Sequence, residues 1–330
     1  MSASAPTDGE TVETKHALGE ILRRISFQAE VFYRGQLCDS WALDTSGTGN
    51  VNFHLVCHGQ CWLHMPGVDS AVELNGGDIV VFPHDAAHVI GSTPERPSAF
   101  GIKTVTREVP LDKAQQGTAL ICGYLVIDRT ARQLLLASLP EHIVIATVAD
   151  SPFQCARTLL DLLFAEASMD AVGSAAILDR LSDALMFYVV RAVVRDHLGV
   201  CGLIGALGDP HLRRAVLSIS LGPARRWTVH SLAEEAHLSR AVFAERFLKV
   251  CGMPPIEFLT IWRMHLARRW LEHDHASVLD VADRCGYESA AAFSKAFKRI
   301  MGAGPGQFRR IGAARGREPV PSNGNKQARP

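Results

Sequence analysis

The sequence predicts an α+β chain: a β-rich N-terminal half folded as a β-sandwich or β-barrel, a helical hairpin, and an all-α C-terminal part. Three observations carry this. Between Ala29 and Ile127, short β-prone runs alternate with turn residues, and no helical period intervenes. From Pro152 to His197, apolar residues recur at helical spacing. From Val229 to Arg310 the chain is written twice: Ser239-x-x-x-Phe243-x-x-x-Phe247-x-x-x-x-Gly252-x-x-Pro255-x-x-Phe258 returns fifty positions later as Ser289-x-x-x-Phe293-x-x-x-Phe297-x-x-x-x-Gly302-x-x-Pro305-x-x-Phe308. A fixed-period match signals a duplicated supersecondary unit.

Composition sets the frame. A length of 330 residues suggests two or three domains. With 47% hydrophobic and 21% charged residues, it is an ordinary globular composition. The longest apolar run, Ala184 to Val194, is cut by Arg191, so no membrane helix is expected. Residues 1–17 lack an apolar signal core and are expected to be a disordered polar arm. Eight cysteines without framework spacing fit a reducing cytoplasm. The net charge of zero hides a division. From Pro210 onward there are 20 Lys and Arg against 10 Asp and Glu, whereas residues 1–209 carry 14 against 24. A basic half of this kind favours phosphate contact.

A short helix over Leu18–Ile25 opens the first domain, expected over residues 18–140. Its candidate strands are Glu30–Cys38, Trp41–Leu43, Asn50–Val56, Gln60–Met65, Ala71–Leu74, Asp78–Phe82, Ala87–Ile90, Ala99–Val105 and Gly123–Ile127. Turns at Gly47-Thr48-Gly49-Asn50, Pro66-Gly67 and Asn75-Gly76-Gly77-Asp78 separate them. Nine short strands at this spacing suggest a sandwich or barrel.

Residues 141–208 then supply the hairpin and a linker. Phe153, Ala156, Leu159, Leu160, Leu163, Phe164 and Ala167 share one helical face, and Gly173 breaks the pattern. Ile177, Leu178, Leu181, Ala184, Leu185, Tyr188, Val189, Ala192 and Val193 share another. This apolar face is wider than one partner needs. It packs on the barrel, or it pairs two copies of the chain as a homodimer. Gly199 to Gly208 is expected to be a flexible Gly-rich link.

The C-terminal domain, residues 209–311, opens with a helix from His211 to Leu221. Thr228 caps a helix whose face is Val229, Leu232, Ala233 and Ala236; Ser239 caps a second with Val242, Phe243, Phe247 and Val250; Gly252 stops it. Two short helices joined by a tight turn make a helix-turn-helix. The second copy uses Ser277 and Ser289 as caps, Val278, Val281, Ala282 and Cys285 on the first face, and Ala292, Phe293, Phe297 and Ile300 on the second. Between the copies, Pro254-Pro255 opens a helix to about His273, a rod of roughly 27 Å at 1.5 Å per residue. That nearly matches one duplex turn, about 34 Å. Residues 312–330 are rich in Gly, Pro, Arg and Asn and are expected to be disordered.

The tandem helix-turn-helix with its G-x-x-P-x-x-Phe endings resembles the DNA-binding domain of AraC-type transcriptional regulators, most specifically at Gly286-Tyr287-Glu288-Ser289 and Ala292-Phe293-Ser294-Lys295-Ala296-Phe297-Lys298-Arg299. The resemblance implies that the second helix of each unit lies in the major groove. Its groove-facing residues would be Arg240, Ala241, Ala244 and Glu245 in the first unit, and Ala290, Ala291 and Lys295 beside the cap Ser289 in the second. Lys249, Lys298, Arg299, Arg309 and Arg310 are placed for phosphates, which position without specifying. Glu245 stands where the family usually has Arg. Glutamate accepts from cytosine N4 instead of donating to guanine, so the first half-site should have a different preference.

The N-terminal half carries a second resemblance. Gly77-x5-Pro83-x-Asp85-x-x-His88 is similar to the second cupin motif, with Asp85 in place of a Gly. Of the first motif only His54 is present; Val56 occupies the place of the second His, and no Glu follows at the expected place, near Gln60. Phe53-His54-Leu55-Val56, Gly59-x-Cys61-Trp62-Leu63, Cys122-Gly123 and Ala137-Ser138-Leu139-Pro140 resemble the cupin-like sensor module of one AraC-type subgroup. His54, His88, Cys38, Cys61 and Cys122 are the candidate metal or redox residues. Imidazole and thiolate together suit zinc, although no cofactor is required; a thiol pair such as Cys38 with Cys122 would sense oxidants; the remaining reading is a plain barrel core. The expected protein is a cytoplasmic, non-enzymatic regulator that binds double-stranded promoter DNA as a homodimer, answers to a small molecule or oxidant, and works with RNA polymerase. The rivals are a cupin-type metalloenzyme with a regulatory DNA-binding tail and an architectural DNA binder without sequence preference.

Overall fold

The computed structural model describes residues 19, 21, 23–24, 27–96, 103–136, 139–147, 154–169, 171–195, 202–274 and 276–315. The expected arm 1–17 and most of the helix Leu18–Ile25 lie outside them. The chain divides into two compact units with the main boundary between Arg213 and Arg214; the short segment Lys249–Gly252 is grouped with the first.

The N-terminal unit is built on one antiparallel sheet. Its strands are β1 (Phe27–Asp44), β2 (Val51–His58), β3 (Gln60–His64), β4 (Val72–Asn75), β5 (Asp78–Phe82), β6 (Val89–Gly91), β7 (Lys103–Val109), β8 (Thr118–Ile127) and β9 (Ile143–Ala146). The order is β4-β3-β6-β1-β8-β2-β5-β9, with β7 also paired to β1. The two expected strands Glu30–Cys38 and Trp41–Leu43 are one. Phe27–Leu37 pairs with β8, and Ala42–Asp44 pairs with β6. The β1–β7 register slips between Cys38 and Trp41, where Asp39 adopts φ 62°. A bulge bends a strand and increases its twist. This one lets the two halves of the sheet curl over a common core. Leu63, Leu74 and Ile90 come from β3, β4 and β6, and Val56, Val80, Phe82 and Leu120 from β2, β5 and β8.

Other boundaries move as well. The strand expected at Gly123–Ile127 starts at Thr118, Ala87–Ile90 is replaced by Val89–Gly91, and Ala99–Val105 is described only from Lys103, running on to Val109. Helix α1 (Arg129–Leu135) was not anticipated; the Asp128 carboxylate caps it, accepting from the Thr130 and Ala131 amides. Segment 141–208 was expected to be a hairpin and linker, yet it begins with β9, which pairs with β5. The hairpin follows as α2 (Gln154–Met169) and α3 (Ser174–Arg195), turning at Gly173 with φ 87°. The expected flexible link contains helix α4 (Gly202–Gly208), in which Leu203, Ile204, Ala206 and Leu207 are buried. Burial of these four side chains overrides the weak helix propensity of the glycines.

Helix α5 (Pro210–Leu221) leads into the C-terminal unit. There the duplication spans three helices per copy: α6 (Val229–Glu235), α7 (Arg240–Cys251) and α8 (Pro255–His273), then α9 (Val278–Arg284), α10 (Ala290–Met301) and α11 (Pro305–Arg315). Disorder expected from residue 312 is corrected as far as Arg315, where α11 ends; 316–330 lie outside the described residues. The second copy packs Val281, Ala282, Cys285, Phe293 and Phe297 against Met264, Ala267 and Leu271 of α8.

Candidate nucleic-acid interface and sensor core

Each helix-turn-helix is fastened by the same local chemistry. Thr228 accepts from the Ser231 amide and Ser277 from the Asp280 amide, both at 3.1 Å. The first helices end in paired Schellman bonds. Leu238 N–H donates to Ala233 C=O and His237 N–H to Glu234 C=O; Tyr287 N–H donates to Ala282 C=O and Gly286 N–H to Asp283 C=O. This places His237 (φ 53°) and Gly286 (φ 70°) at equivalent left-handed positions, forty-nine residues apart. The second helices begin at Ser239 and Ser289, fifty apart, so the second turn carries one extra residue, Glu288. Its carboxylate pairs with Arg226 at 2.6 Å. Ser289 accepts from Ala292 N–H at 3.1 Å, and Ser239 from Val242 N–H at 3.4 Å.

The aromatic packing is also repeated. Phe243–Phe247 and Phe293–Phe297 ring centroids are both 5.5 Å apart. Phe247 meets Phe258 at 5.5 Å and 78°; Phe297 meets Phe308 at 5.3 Å and 80°. One apolar anchor therefore sets the roll of α7 and α10 alike. From Ala241 to Val250 and from Ala291 to Ile300, burial runs through the same sequence of exposed, half-buried and buried positions.

The expected groove residues lie on these outward faces. Arg240, Ala241, Glu245 and Lys249 are exposed on α7 and Ala244 is half-buried; Ser289 and, on α10, Ala291, Lys295, Lys298 and Arg299 are exposed, with Ala290 half-buried. Arg309 and Arg310 are exposed on α11. Two stripe assignments are corrected. Val242 and Ala292 were expected on the apolar faces, yet both are exposed, because neighbours on a helix point about 100° apart and Phe243 and Phe293 occupy the inward direction. Val242 and Leu248 are surface residues of α7, at 49% and 50% exposure, and Leu248 belongs to none of the expected faces. The position three after each Ser cap was the signal for the first of them.

Arg263 of α8 ties the approach to these helices. Its guanidinium donates to Pro223 C=O at 2.8 Å and Arg225 C=O at 2.9 Å and lies over the Tyr287 ring. Gly286 sits under the same loop: a Cβ there would meet Ala224 O at 2.2 Å.

In the sheet unit, the structure brings His54 and His88 together, and the described cysteines are free thiols. Both rings are fully buried, with Nε2 atoms 2.9 Å apart and each 3.0 Å from Thr45 Oγ1. His88 Nδ1 lies 2.7 Å from Ala86 C=O, which requires an Nδ1–H donor and leaves its Nε2 as acceptor. Among the described residues His54 Nδ1 has no partner, which places its proton on Nε2. Burial, reinforced by His88, holds His54 well below the usual histidine value; burial also lowers His88. Asp85 takes the left-handed conformation of the glycine it replaces, φ 56°, and its carboxylate accepts from Gly47 N–H, Gly49 N–H and the Asn52 amide. Asp tolerates that conformation, and its side chain holds the loop above the imidazoles.

Zinc takes four ligands. Among the described residues no group of three or more His, Cys, Asp or Glu side chains converges on a point. Cys61 and Cys122 belong to the apolar core. Burial pushes the Cys61 and Cys57 thiols up to about 12 and raises Cys122 as well. The illustrative Cys38–Cys122 pair does not form. Cys122 sits opposite Tyr33, five residues before Cys38, about 16 Å along the strand. Cys38 instead approaches Gln116 C=O at 3.2 Å.

The cupin family profile matches residues 16–195, and a helix-turn-helix domain profile matches 232–311. An AraC-like transcription regulator of Streptomyces lividans is 33% identical over 278 residues, covering 82% of this chain and 90% of that protein. The chain belongs to the AraC-type transcriptional regulators. An HTH-type regulator of Haemophilus influenzae is 31% identical, covering 88% of this chain and 94% of its own length. The solved DNA-binding domain of AdpA in complex with a target DNA is 33% identical, covering 32% of this chain and 96% of that one, with a TM-score of 0.31. The AraC-type assignment rejects the metalloenzyme alternative. No helix of the described part of this regulator is long and apolar enough to cross a membrane.

Proposed function

We propose that this AraC-type regulator binds a specific double-stranded promoter site through the outward faces of α7 and α10, as a homodimer, under control of a small molecule held by the cupin-like unit. The matching burial of α7 and α10 supports the DNA reading most directly. Both carry small side chains near the N-terminus, where a recognition helix meets base edges, and cations toward the C-terminus. Lys295 contacts bases; Lys249, Lys298 and Arg299 contact phosphates.

The self-pairing face is the outer side of α2. Cys155, Thr158, Leu162, Ala165 and Met169 are exposed, uncharged and spaced 3-4-3-4, the seam of a two-helix contact. A small molecule is favoured over an oxidant because the core thiols are held protonated. RNA polymerase is the downstream partner, in the cytoplasm. The test is a mobility shift with the duplex upstream of the chain's own gene. Wild type should retard it, with affinity falling steeply as salt rises. Lys295→Ala should weaken the shift; an unaffected variant would overturn the assignment of α10.

A further inference from the structure

The sheet unit contains an apolar cavity on the face opposite the imidazole pair. Val80 and Phe82 of β5 point into the sheet's own core, so Val81 between them points the other way. It meets Leu125 of β8, Ile143 of β9, Met186 and Val189 of α3, and Ile204 of α4 around a space of about 50 Å³. Every described wall residue is apolar. Water needs two to four polar partners to occupy such a space, and the described walls supply none from their side chains. Native interiors keep few voids larger than a water molecule. Here one lies where the sheet, α3 and α4 meet.

We propose that this cavity is a binding site for a small uncharged hydrocarbon, a short chain or a single ring, and that its occupancy changes the affinity of the protein for DNA. The described wall side chains offer no hydrogen-bond partner, so a sugar, a carboxylate or a nucleotide would lose its hydration without replacement. Met186 is unbranched and adaptable, and its side chain can swing aside to admit more than the resting volume. Filling the space presses on α3, whose hairpin partner α2 carries the proposed self-pairing seam, and on α4, the last helix before α5. The second half of the proposal rests on the regulator reading above; the first half stands without it.

The test uses the full chain with labelled methyl groups. Xenon under pressure should shift the methyl resonances of Met186, Val189 and Ile204 and leave those of Leu63 and Leu74 unmoved. Benzene should change the dissociation constant for the upstream duplex about fivefold or more, the range of a modest coupling between sites. Val189→Phe fills the space and should abolish both effects while the chain still binds the duplex. Val193→Leu, a milder filling, should reduce both and guards against misfolding of the first variant. Absence of xenon shifts at the three methyls overturns the site. Shifts without a change in DNA affinity, or a benzene effect that persists in Val189→Phe, overturn the coupling. Failure of wild type to bind any duplex refutes the regulator reading alone, since the xenon shifts still decide the cavity.

Discussion

The Asp183 carboxylate of α3 accepts a 2.6 Å hydrogen bond from the Ala29 amide of β1, and one turn earlier Asp179 accepts from Val31 N–H at 3.0 Å. An edge strand exposes a row of unpaired amides that must be blunted or covered. Here two carboxylates of one helix cover that row and fix α3 to the sheet. Asp183→Ala should therefore lower stability by about 1 to 3 kcal/mol, the cost of stranding a buried donor, whereas Asp183→Asn, which still accepts, should cost less. Urea midpoints of the three proteins check the order.

Acid should loosen the sheet unit. His54 and His88 titrate below the usual histidine value of 6.5 when folded, so under that pH the unfolded chain binds more protons. Stability is then full above about pH 6.5 and is lost as pH falls through the window between the unfolded and folded values, by about 1.4 kcal/mol per pH unit for each group. Denaturant melts from pH 7.5 to 5 should show this slope, and His54→Gln should flatten it.

The two equivalent left-handed turns should answer oppositely to substitution. Gly286→Ala brings a Cβ against Ala224 O and should destabilise the C-terminal unit by several kcal/mol. His237→Gly relieves a left-handed non-glycine residue worth about 1–2 kcal/mol and gives back about 0.5–1 kcal/mol in chain entropy, so it should be neutral to mildly stabilising. Thermal melts of both variants decide this.

Base and phosphate contacts should separate by their salt response. Lys298→Ala and Arg299→Ala should each reduce the slope of log affinity against log salt by about 1 and weaken all sequences alike. Glu245→Gln should leave the slope nearly unchanged and alter the preferred base at one position of the first half-site, as selection from a randomised duplex would reveal.

Leu162, at 49% exposure in the middle of the α2 seam, should govern self-association. Leu162→Glu places like charges at the centre of a two-fold contact and should shift the protein to monomer in sedimentation equilibrium, while Arg180→Glu, exposed on α3, should not.

The sequence showed most clearly what is local or repeated. Strand Asp78–Phe82 has its expected limits because Asn75-Gly76-Gly77 fixes its start and Pro83 its end. The helix-turn-helix copies were legible because caps, glycines and phenylalanines recur in register. What stayed hidden depends on distant partners. Ile143–Ala146 is four residues long and becomes a strand only by pairing with Asp78–Val81, over sixty residues earlier. The glycines of α4 spoke for a flexible link, and only burial of Leu203 and Leu207 makes it a helix. The His54–His88 contact joins residues thirty-four positions apart, and nothing in either motif shows that they meet.

One uninterrupted strand, β1, serves both halves of the curled sheet, with its bend at Asp39. Neither half is thus a module that recombination could graft onto another protein. A working split-protein reporter would have to be divided at a surface loop such as Pro66–Gly67, leaving that shared strand whole.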